Sequence, residues 1–162
     1  MTNKKILKII IVISIYVALC FFLQGISFGP LQLRLSELLC LLAIENPIYI
    51  VAVSVGCFIS NLLFSTLGSI DAIVGILATV VGCCFAYLLR KIKFKGFPFV
   101  SALTIAIVNA IIIAIETSYV LNNNEILIYS FLEILVSEII ILVIIGYPIY
   151  NRLIQIDKGE KR

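Results

Sequence analysis

Long runs of apolar residues, separated only by short polar breaks, limit this chain to structures that lie within a lipid bilayer. The first run, Ile6 to Leu23, has about the length that a helix needs to cross the hydrocarbon core, and similar runs follow along the sequence. Of the 162 residues, 62% are hydrophobic and only 13% are charged, which is too apolar for a water-facing surface. We therefore expect an all-α integral membrane protein that crosses the cell membrane several times.

The sequence divides into six apolar segments, which we predict to be the helices of a single transmembrane domain, residues 1–162. Their approximate bounds are 6–23, 33–44, 48–67, 70–89, 97–119 and 126–153. The second segment is short for a crossing, because a helix rises only about 1.5 Å per residue and the hydrocarbon core is about 30 Å thick. This segment is either tilted and extended into the preceding polar stretch or does not span alone.

The distribution of basic residues predicts the orientation of the chain. Eleven of the 12 Lys and Arg residues fall before or early in the first segment, between residues 90 and 95, or from Arg152 onward. The positive-inside rule places all three groups in the cytoplasm. An even number of crossings must then separate the amino terminus from the 90–95 loop, which favours a second segment that does cross. We predict a six-helix bundle with both termini cytoplasmic.

The densest group of polar residues lies in the stretch ISFGPLQLRLSEL, residues 26–38. A Gly-Pro pair at 29–30 predicts a turn, and Gln32, Arg34 and Glu37 follow it. Arg34 is the one basic residue outside the cytoplasmic groups. The stretch has two interpretations, an ordinary extracellular connector or a loop that captures a ligand.

Polar residues in the apolar segments fall mostly in the predicted outer halves of the helices. They are Glu37, Asn61, Asp71, Asn109, Glu116 and Glu138. A charge at mid-membrane costs roughly 2.5 to 3.5 kcal/mol, so retained carboxylates need an aqueous cavity, a cationic partner or protonation. We predict that these residues, with Gln32 and Arg34, line an outward-facing ligand cup. Phe28 and Tyr119 are placed to stack on a flat ligand.

These polar residues also have structural explanations. Asp71 lies in the first turn of a predicted helix, where a carboxylate favours the positive end of the helix dipole. Asn61 and Asn109 are also explained as hydrogen-bond partners between helices. Glu133 and Glu138 lie roughly 140° apart around one helix, so they cannot face the same cavity. We assign Glu138 to the cup and a structural role to Glu133.

Small residues mark two helix faces that neighbouring helices can approach closely. Ser14 and Ala18 are four residues apart on the first segment, a spacing typical of close packing between membrane helices. Gly75 and Gly82 lie on the same stripe of the fourth segment as Asp71, and we expect helix packing there as well.

Several classes of function are disfavoured by what the sequence lacks. There is no histidine, and none of the five cysteines forms a CxxC pair, so we expect no metal site and no His-based catalytic triad. We find no glycine-rich phosphate loop, and we expect no cofactor and no nucleic-acid binding. We expect a protein that is not an enzyme. The alternatives are a stand-alone secondary carrier or small channel and, less favoured, an intramembrane enzyme that uses paired carboxylates.

Five parts of the chain together resemble the QueT family of substrate-binding subunits of energy-coupling-factor (ECF) transporters. They are residues 26–38, Asn61, and the runs IDAIVGILATVVG, VNAIIIAIE and SEIIILVIIGYP. The resemblance implies a six-helix membrane subunit that binds queuosine precursors, which are 7-deazaguanine bases. It also implies docking onto a shared module of one transmembrane scaffold and two ATPases. On this basis Ser14 and Ala18 face the scaffold, where such proteins commonly carry alanine at both positions.

The polar residues of the predicted cup suit this class of ligand. A guanine-like base presents adjacent N–H donors that a carboxylate accepts, while its carbonyl group needs a hydrogen-bond donor. An aminomethyl substituent adds a cation that favours a second carboxylate.

Overall fold

The computed structural model describes residues 3–28 and 32–159, and this part of the chain is helical apart from short connections. Its α-helices are α1 (Asn3–Phe22), α2 (Gln24–Ser27), α3 (Cys40–Glu45), α4 (Ile48–Phe64), α5 (Ser69–Leu89), α6 (Phe99–Val120), α7 (Ile126–Ile139) and α8 (Gly146–Gly159). A 3₁₀ helix, Leu35–Leu39, leads into α3, and a π-helix, Ile140–Ile145, joins α7 to α8. The predicted turn at residues 29–30 lies outside the described residues.

Within the described residues, four helical segments are long and apolar enough to cross a membrane. They are α1, α5, α6 and the continuous segment from Ile126 to Asp157 that contains α7, the π-helix and most of α8. Helix α4 is also apolar but has only 17 residues. The chain is therefore an all-helical, multi-pass membrane protein.

The second predicted helix, 33–44, differs most from the observed structure. Helical structure begins at Leu35, the first five residues form a 3₁₀ helix, and the α-helical part, α3, has only six residues. All of the residues from Cys40 to Ile44 are buried. Because helices α1, α4, α5 and α8 surround this segment, protein rather than lipid covers its apolar side chains.

Other differences lie at helix ends. The predicted helix 48–67 ends at Phe64, because Ser65 is extended and its hydroxyl oxygen accepts a hydrogen bond from the Leu67 amide at 3.1 Å. The predicted helix 126–153 continues to Gly159 through the π-helix. The extra residue per turn in a π-helix changes which face is buried, and here Gly146 packs against α3.

Glycine residues on α5 allow its neighbours to approach closely. A Cβ atom added at Gly75 would lie 2.3 Å from Asn61 Nδ2 on α4, and one at Gly82 would lie 3.5 Å from the Ile105 Cα atom on α6. Both glycines are buried, as are Asp71 and Thr79 on the same stripe. This stripe of α5 therefore packs between α4 and α6.

Polar contacts join separate helices near one end of the bundle. Lys8 on α1 donates to Asp157 on α8 at 2.7 Å, and Lys93 in the α5–α6 connection donates to Glu45 at the end of α3 at 2.6 Å. The Tyr150 hydroxyl of α8 also donates to Glu45. Helix α5 runs from Asp71 at its start toward the Lys93 connection, so these contacts lie at the end of the bundle remote from Asp71.

Candidate functional site

All of the residues predicted to line the ligand cup, except Asn61, line one of two adjoining cavities. The polar residues of the first, here called the deep cavity, are Gln32, Arg34, Glu37, Thr79, Asn109 and Glu138. The polar or charged residues of the second, here called the shallow cavity, are Gln32, Arg34, Ser65, Thr66, Asp71, Glu116 and Thr117. Gln32, Arg34 and Ile113 belong to both linings, so these side chains separate the two spaces.

Three buried polar atoms around the deep cavity have no hydrogen-bond partner among the described residues. Asn109 Nδ2 donates to Glu138 Oε1 at 3.2 Å, which leaves Asn109 Oδ1 and Glu138 Oε2 without donors. Arg34 Nε is the third, a donor without an acceptor. Around the deep cavity, two acceptors and one donor are therefore unpaired.

Arg34 is fixed between the cavities by contacts with three other residues. Its Nη1 donates to Asn61 Oδ1 at 3.1 Å, and its Nη2 lies 3.6 Å from Asp71 Oδ2. Its guanidinium carbon lies 4.9 Å from the centre of the Phe28 ring, a cation–π contact. The side chain is only 10% exposed, so this ion pair is largely removed from water.

Asn61 lies behind this arrangement and lines neither cavity. Its Nδ2 donates to the Asp71 carbonyl oxygen at 2.9 Å, while its Oδ1 accepts from Arg34. It is 1% exposed and lies directly against Gly75. Asn61 therefore joins α4 to α5 and orients Arg34, which agrees with the structural explanation offered by the sequence.

Glu37 lines the deep cavity, but both of its carboxylate oxygens already accept hydrogen bonds from the protein. Oε1 accepts from the Tyr16 hydroxyl at 2.5 Å, and Oε2 accepts from Cys40 Sγ at 3.0 Å. Sequence reasoning did not identify Tyr16. In the sequence, Tyr16 stands out only as a polar hydroxyl within the apolar α1 segment. This does not show which residue of another helix its hydroxyl group contacts.

Glu116 in the shallow cavity has the opposite environment. The residue is 5% exposed, and neither carboxylate oxygen has a hydrogen-bond partner within the described residues. Asp71 lines the same cavity, but Asp71 has Arg34 and Asn61 as neighbours. The shallow cavity measures about 50 Å³ and the deep cavity about 20 Å³.

Four other residues considered in the sequence lie outside both cavities. Tyr119 is 85% exposed on the outside of α6, so its predicted stacking on a ligand is wrong for this arrangement. Glu133 is half-buried on α7. Ser14 is exposed on α1, where its hydroxyl donates to the Ile10 carbonyl oxygen at 2.9 Å, and Ala18 is half-buried.

Two comparisons with known proteins indicate the same family. A family model described as QueT transporter matches residues 6–155. A curated relative, the queuosine precursor transporter QueT of Lactococcus lactis subsp. cremoris (strain MG1363), is 47% identical over 78 residues. That match covers 47% of this chain and 45% of the relative, so it spans less than half of either protein. No solved structure matches the chain.

Proposed function

The chain belongs to the QueT transporter family, and on that premise we propose that it is the substrate-binding membrane subunit of an ECF uptake transporter. In this role it captures a queuosine precursor, a 7-deazaguanine base, outside the cell. It then delivers the base through a shared module of one transmembrane scaffold and two ATPases. The name of the relative supports this ligand class. The sequence has no phosphate-binding loop, so in this proposal the two ATPases of the module hydrolyse the ATP.

The observation that carries the ligand class is the set of unpartnered atoms around the deep cavity. Arg34 Nε offers a donor, and Asn109 Oδ1 and Glu138 Oε2 offer acceptors. A buried polar group that stays unpaired costs about 1 to 3 kcal/mol, so a ligand that pairs all three atoms gains affinity.

The Watson–Crick edge of a guanine-like base has the complementary pattern. It presents one carbonyl acceptor and two neighbouring N–H donors, which suit one donor and two acceptors in the protein. An adenine-like edge presents one amino donor and a ring nitrogen that accepts, so it leaves one protein acceptor unpaired. The deep cavity therefore favours the guanine type of base over the adenine type.

Gln32 has to move for such a base to enter, while Arg34 stays paired with Asp71. A cavity of about 20 Å³ holds roughly one water molecule, which is far less than a fused bicyclic ring. Because Gln32 is part of the wall between the deep cavity and the shallow cavity, its displacement joins both spaces. We infer that the described arrangement is a narrow state of the site and that the ligand selects a wider one.

We also propose that the chain crosses the membrane six times, with both termini in the cytoplasm and the cavities facing outward. In support, Glu45, Lys93 and Lys8 make their contacts at the end remote from the cavities. The short segment from Leu35 to Glu45 leads from Glu37 at the deep cavity toward that end. The basic groups 90–95 and 152–162 follow the positive-inside rule in this orientation.

The proposed contact with the scaffold subunit uses the face of α1 that contains Ser14 and Ala18. Ser14 is surrounded on the helix surface by the exposed side chains of Ile10, Ile11 and Ile15. The Ser14 hydroxyl bonds to its own helix, so it adds no unpaired polar group to a helix contact.

Calorimetric titration of the purified protein tests the ligand class. We expect 7-aminomethyl-7-deazaguanine to bind, and 7-aminomethyl-7-deazaadenine to bind at least about a hundredfold more weakly because of its mismatched edge. Equal affinity for the two bases, or no binding of the first, would contradict the proposal. Uptake of the base by vesicles that contain this chain but no ATPase would instead assign a stand-alone carrier.

A further inference from the structure

Glu116 is a buried carboxylate for which the described residues supply no partner. Both carboxylate oxygens are inaccessible to solvent, and neither accepts a hydrogen bond from the described residues, although the side chain lines the shallow cavity. Burying an ionised carboxylate in the membrane region without a partner is unfavourable, so a residue in this position calls for protonation, or for a donor or a cation that the described residues do not supply.

The charges around the shallow cavity leave room for one additional cation. Asp71 is offset by Arg34, whose Nη2 lies 3.6 Å from Asp71 Oδ2. Within the described residues, no Lys or Arg other than Arg34 lines either cavity. Glu116 therefore remains as an acidic group that the described residues do not neutralise.

The position of the shallow cavity relative to the deep cavity indicates what kind of group could reach Glu116. The two spaces share Gln32, Arg34 and Ile113 as a common wall. A base held by Arg34 and Glu138 in the deep cavity has the shallow cavity beside it once the Gln32 side chain moves. A short substituent on the base could then extend toward Glu116.

We propose that the shallow cavity is a second subsite, in which Glu116 binds a primary ammonium group on the ligand. This inference rests on the function proposed above, because the base occupies the deep cavity. Thr117 and Ser65 add hydroxyl groups to the lining, and Phe28 adds an aromatic ring. The subsite distinguishes bases that have the same hydrogen-bonding edge but different substituents.

A lipid headgroup is the other possible source of an ammonium group. Glu116 also borders an apolar groove on the outside of the bundle between α5 and α6, lined by Ile70, Val74, Ile115 and Tyr119. The test is therefore carried out in nanodiscs of phosphatidylcholine, whose headgroup has no N–H donor. A parallel set of nanodiscs contains phosphatidylethanolamine.

Two ligands of nearly equal size test the subsite. The first is 7-aminomethyl-7-deazaguanine, which carries an ammonium group, and the second is 7-hydroxymethyl-7-deazaguanine, which is neutral. In phosphatidylcholine, we expect the wild-type protein to prefer the ammonium ligand by about tenfold. Glu116→Gln should remove this preference and leave the affinity for the neutral ligand within about twofold of the wild type.

The preference is a ratio of two affinities measured on one preparation, so it does not depend on the fraction of folded protein. Glu133→Gln, which removes a half-buried glutamate of α7 that lines neither cavity, should keep the preference.

The possible failures of this test are distinguishable. A wild type that binds both ligands equally overturns the subsite alone, even if Glu116→Gln does not fold. An unchanged preference in Glu116→Gln also overturns it, as does a preference that is lost with phosphatidylethanolamine, because the lipid ammonium then occupies Glu116. A wild type that binds neither ligand overturns the proposed function and the subsite together.

Discussion

The hydroxyl group of Tyr16 lies 2.5 Å from Glu37 Oε1 and donates a hydrogen bond to it. This contact links the middle of α1 to the 3₁₀ helix that lines the deep cavity. Tyr16 is 1% exposed and packs against Gly56 of α4, where an added Cβ would lie 2.8 Å from the Tyr16 Cβ. Tyr16 and Glu37 are thus a buried pair that fixes one wall of the cavity.

The first prediction concerns this pair. Tyr16→Phe removes the donor but keeps the ring, so it leaves a buried carboxylate oxygen with one fewer partner. We expect a loss of stability of about 1 to 3 kcal/mol, measured as a lower melting temperature in detergent. Tyr119→Phe is the matched control, because the Tyr119 side chain is 85% exposed. Equal melting temperatures for Tyr16→Phe and the wild type would show that the hydrogen bond contributes little.

The second prediction concerns the packing of Asn61 against α5. In Gly75→Ala, the new methyl group would lie 2.3 Å from Asn61 Nδ2, so Asn61 has to move away from Arg34 and Asp71. We expect a destabilisation of about 1 to 3 kcal/mol together with weaker ligand binding.

The matched control for Gly75→Ala is Gly82→Ala on the same helix. There the added methyl group would make an ordinary contact at 3.5 Å with the Ile105 backbone. Thermal melting should therefore show a smaller loss for Gly82→Ala. An equal loss in both variants would mean that the general cost of changing a glycine in α5, and not the position of Asn61, decides the effect.

The sequence predicted the all-helical membrane fold because side chains that face lipid have to be apolar whatever the tertiary structure. It also identified the charged and amide residues of the cavities but not the hydroxyl residues, since a buried carboxylate such as Glu138 has few explanations in an apolar segment. It could not distinguish Glu37 from Glu116. Their difference depends on whether another helix directs a donor at the carboxylate, as Tyr16 does for Glu37.

The short second segment was difficult for a related reason. The apolar residues from Cys40 to Ile44 are typical both of a helix in lipid and of a segment enclosed by protein. Only the packing of the surrounding helices shows that this segment is enclosed. Similarly, nothing in the isoleucine-rich run 139–145 indicates a π-helix, because the insertion follows from packing and not from local propensity.

The third prediction concerns the orientation in the membrane. Single cysteines are introduced at Asn123 and Lys91 in a Cys84→Ser background, since Cys84 is the exposed cysteine and the other four are buried. A thiol reagent that does not cross membranes should label residue 123 in intact cells and residue 91 only after the cells are opened. The reverse pattern would overturn both the orientation and the outward-facing site.

The fourth prediction concerns the scaffold contact on α1. Ala18→Trp places a large ring on a face where a close approach between helices needs small residues, so the amount of scaffold subunit that co-purifies should fall strongly. Ligand binding should stay near the wild-type value, because Ala18 lines neither cavity. Ile107→Trp on the exposed face of α6 is the matched control and should not affect assembly. Unchanged co-purification in Ala18→Trp would exclude this face as the contact.

The last prediction separates a ligand role of Glu138 from a structural one. Glu138→Gln keeps the size of the side chain but removes the charge that accepts from the base, so we expect affinity for 7-aminomethyl-7-deazaguanine to fall about ten- to a hundredfold. The ligand-free variant should melt no lower than the wild type, because the unpartnered Oε2 does not stabilise the empty protein. A structural role predicts the reverse, a lower melting temperature with affinity unchanged. Calorimetry and melting of the same preparations, with Glu133→Gln as the control, decide between the two roles. Loss of a ligand contact lowers the affinity, whereas loss of a structural contact lowers the melting temperature.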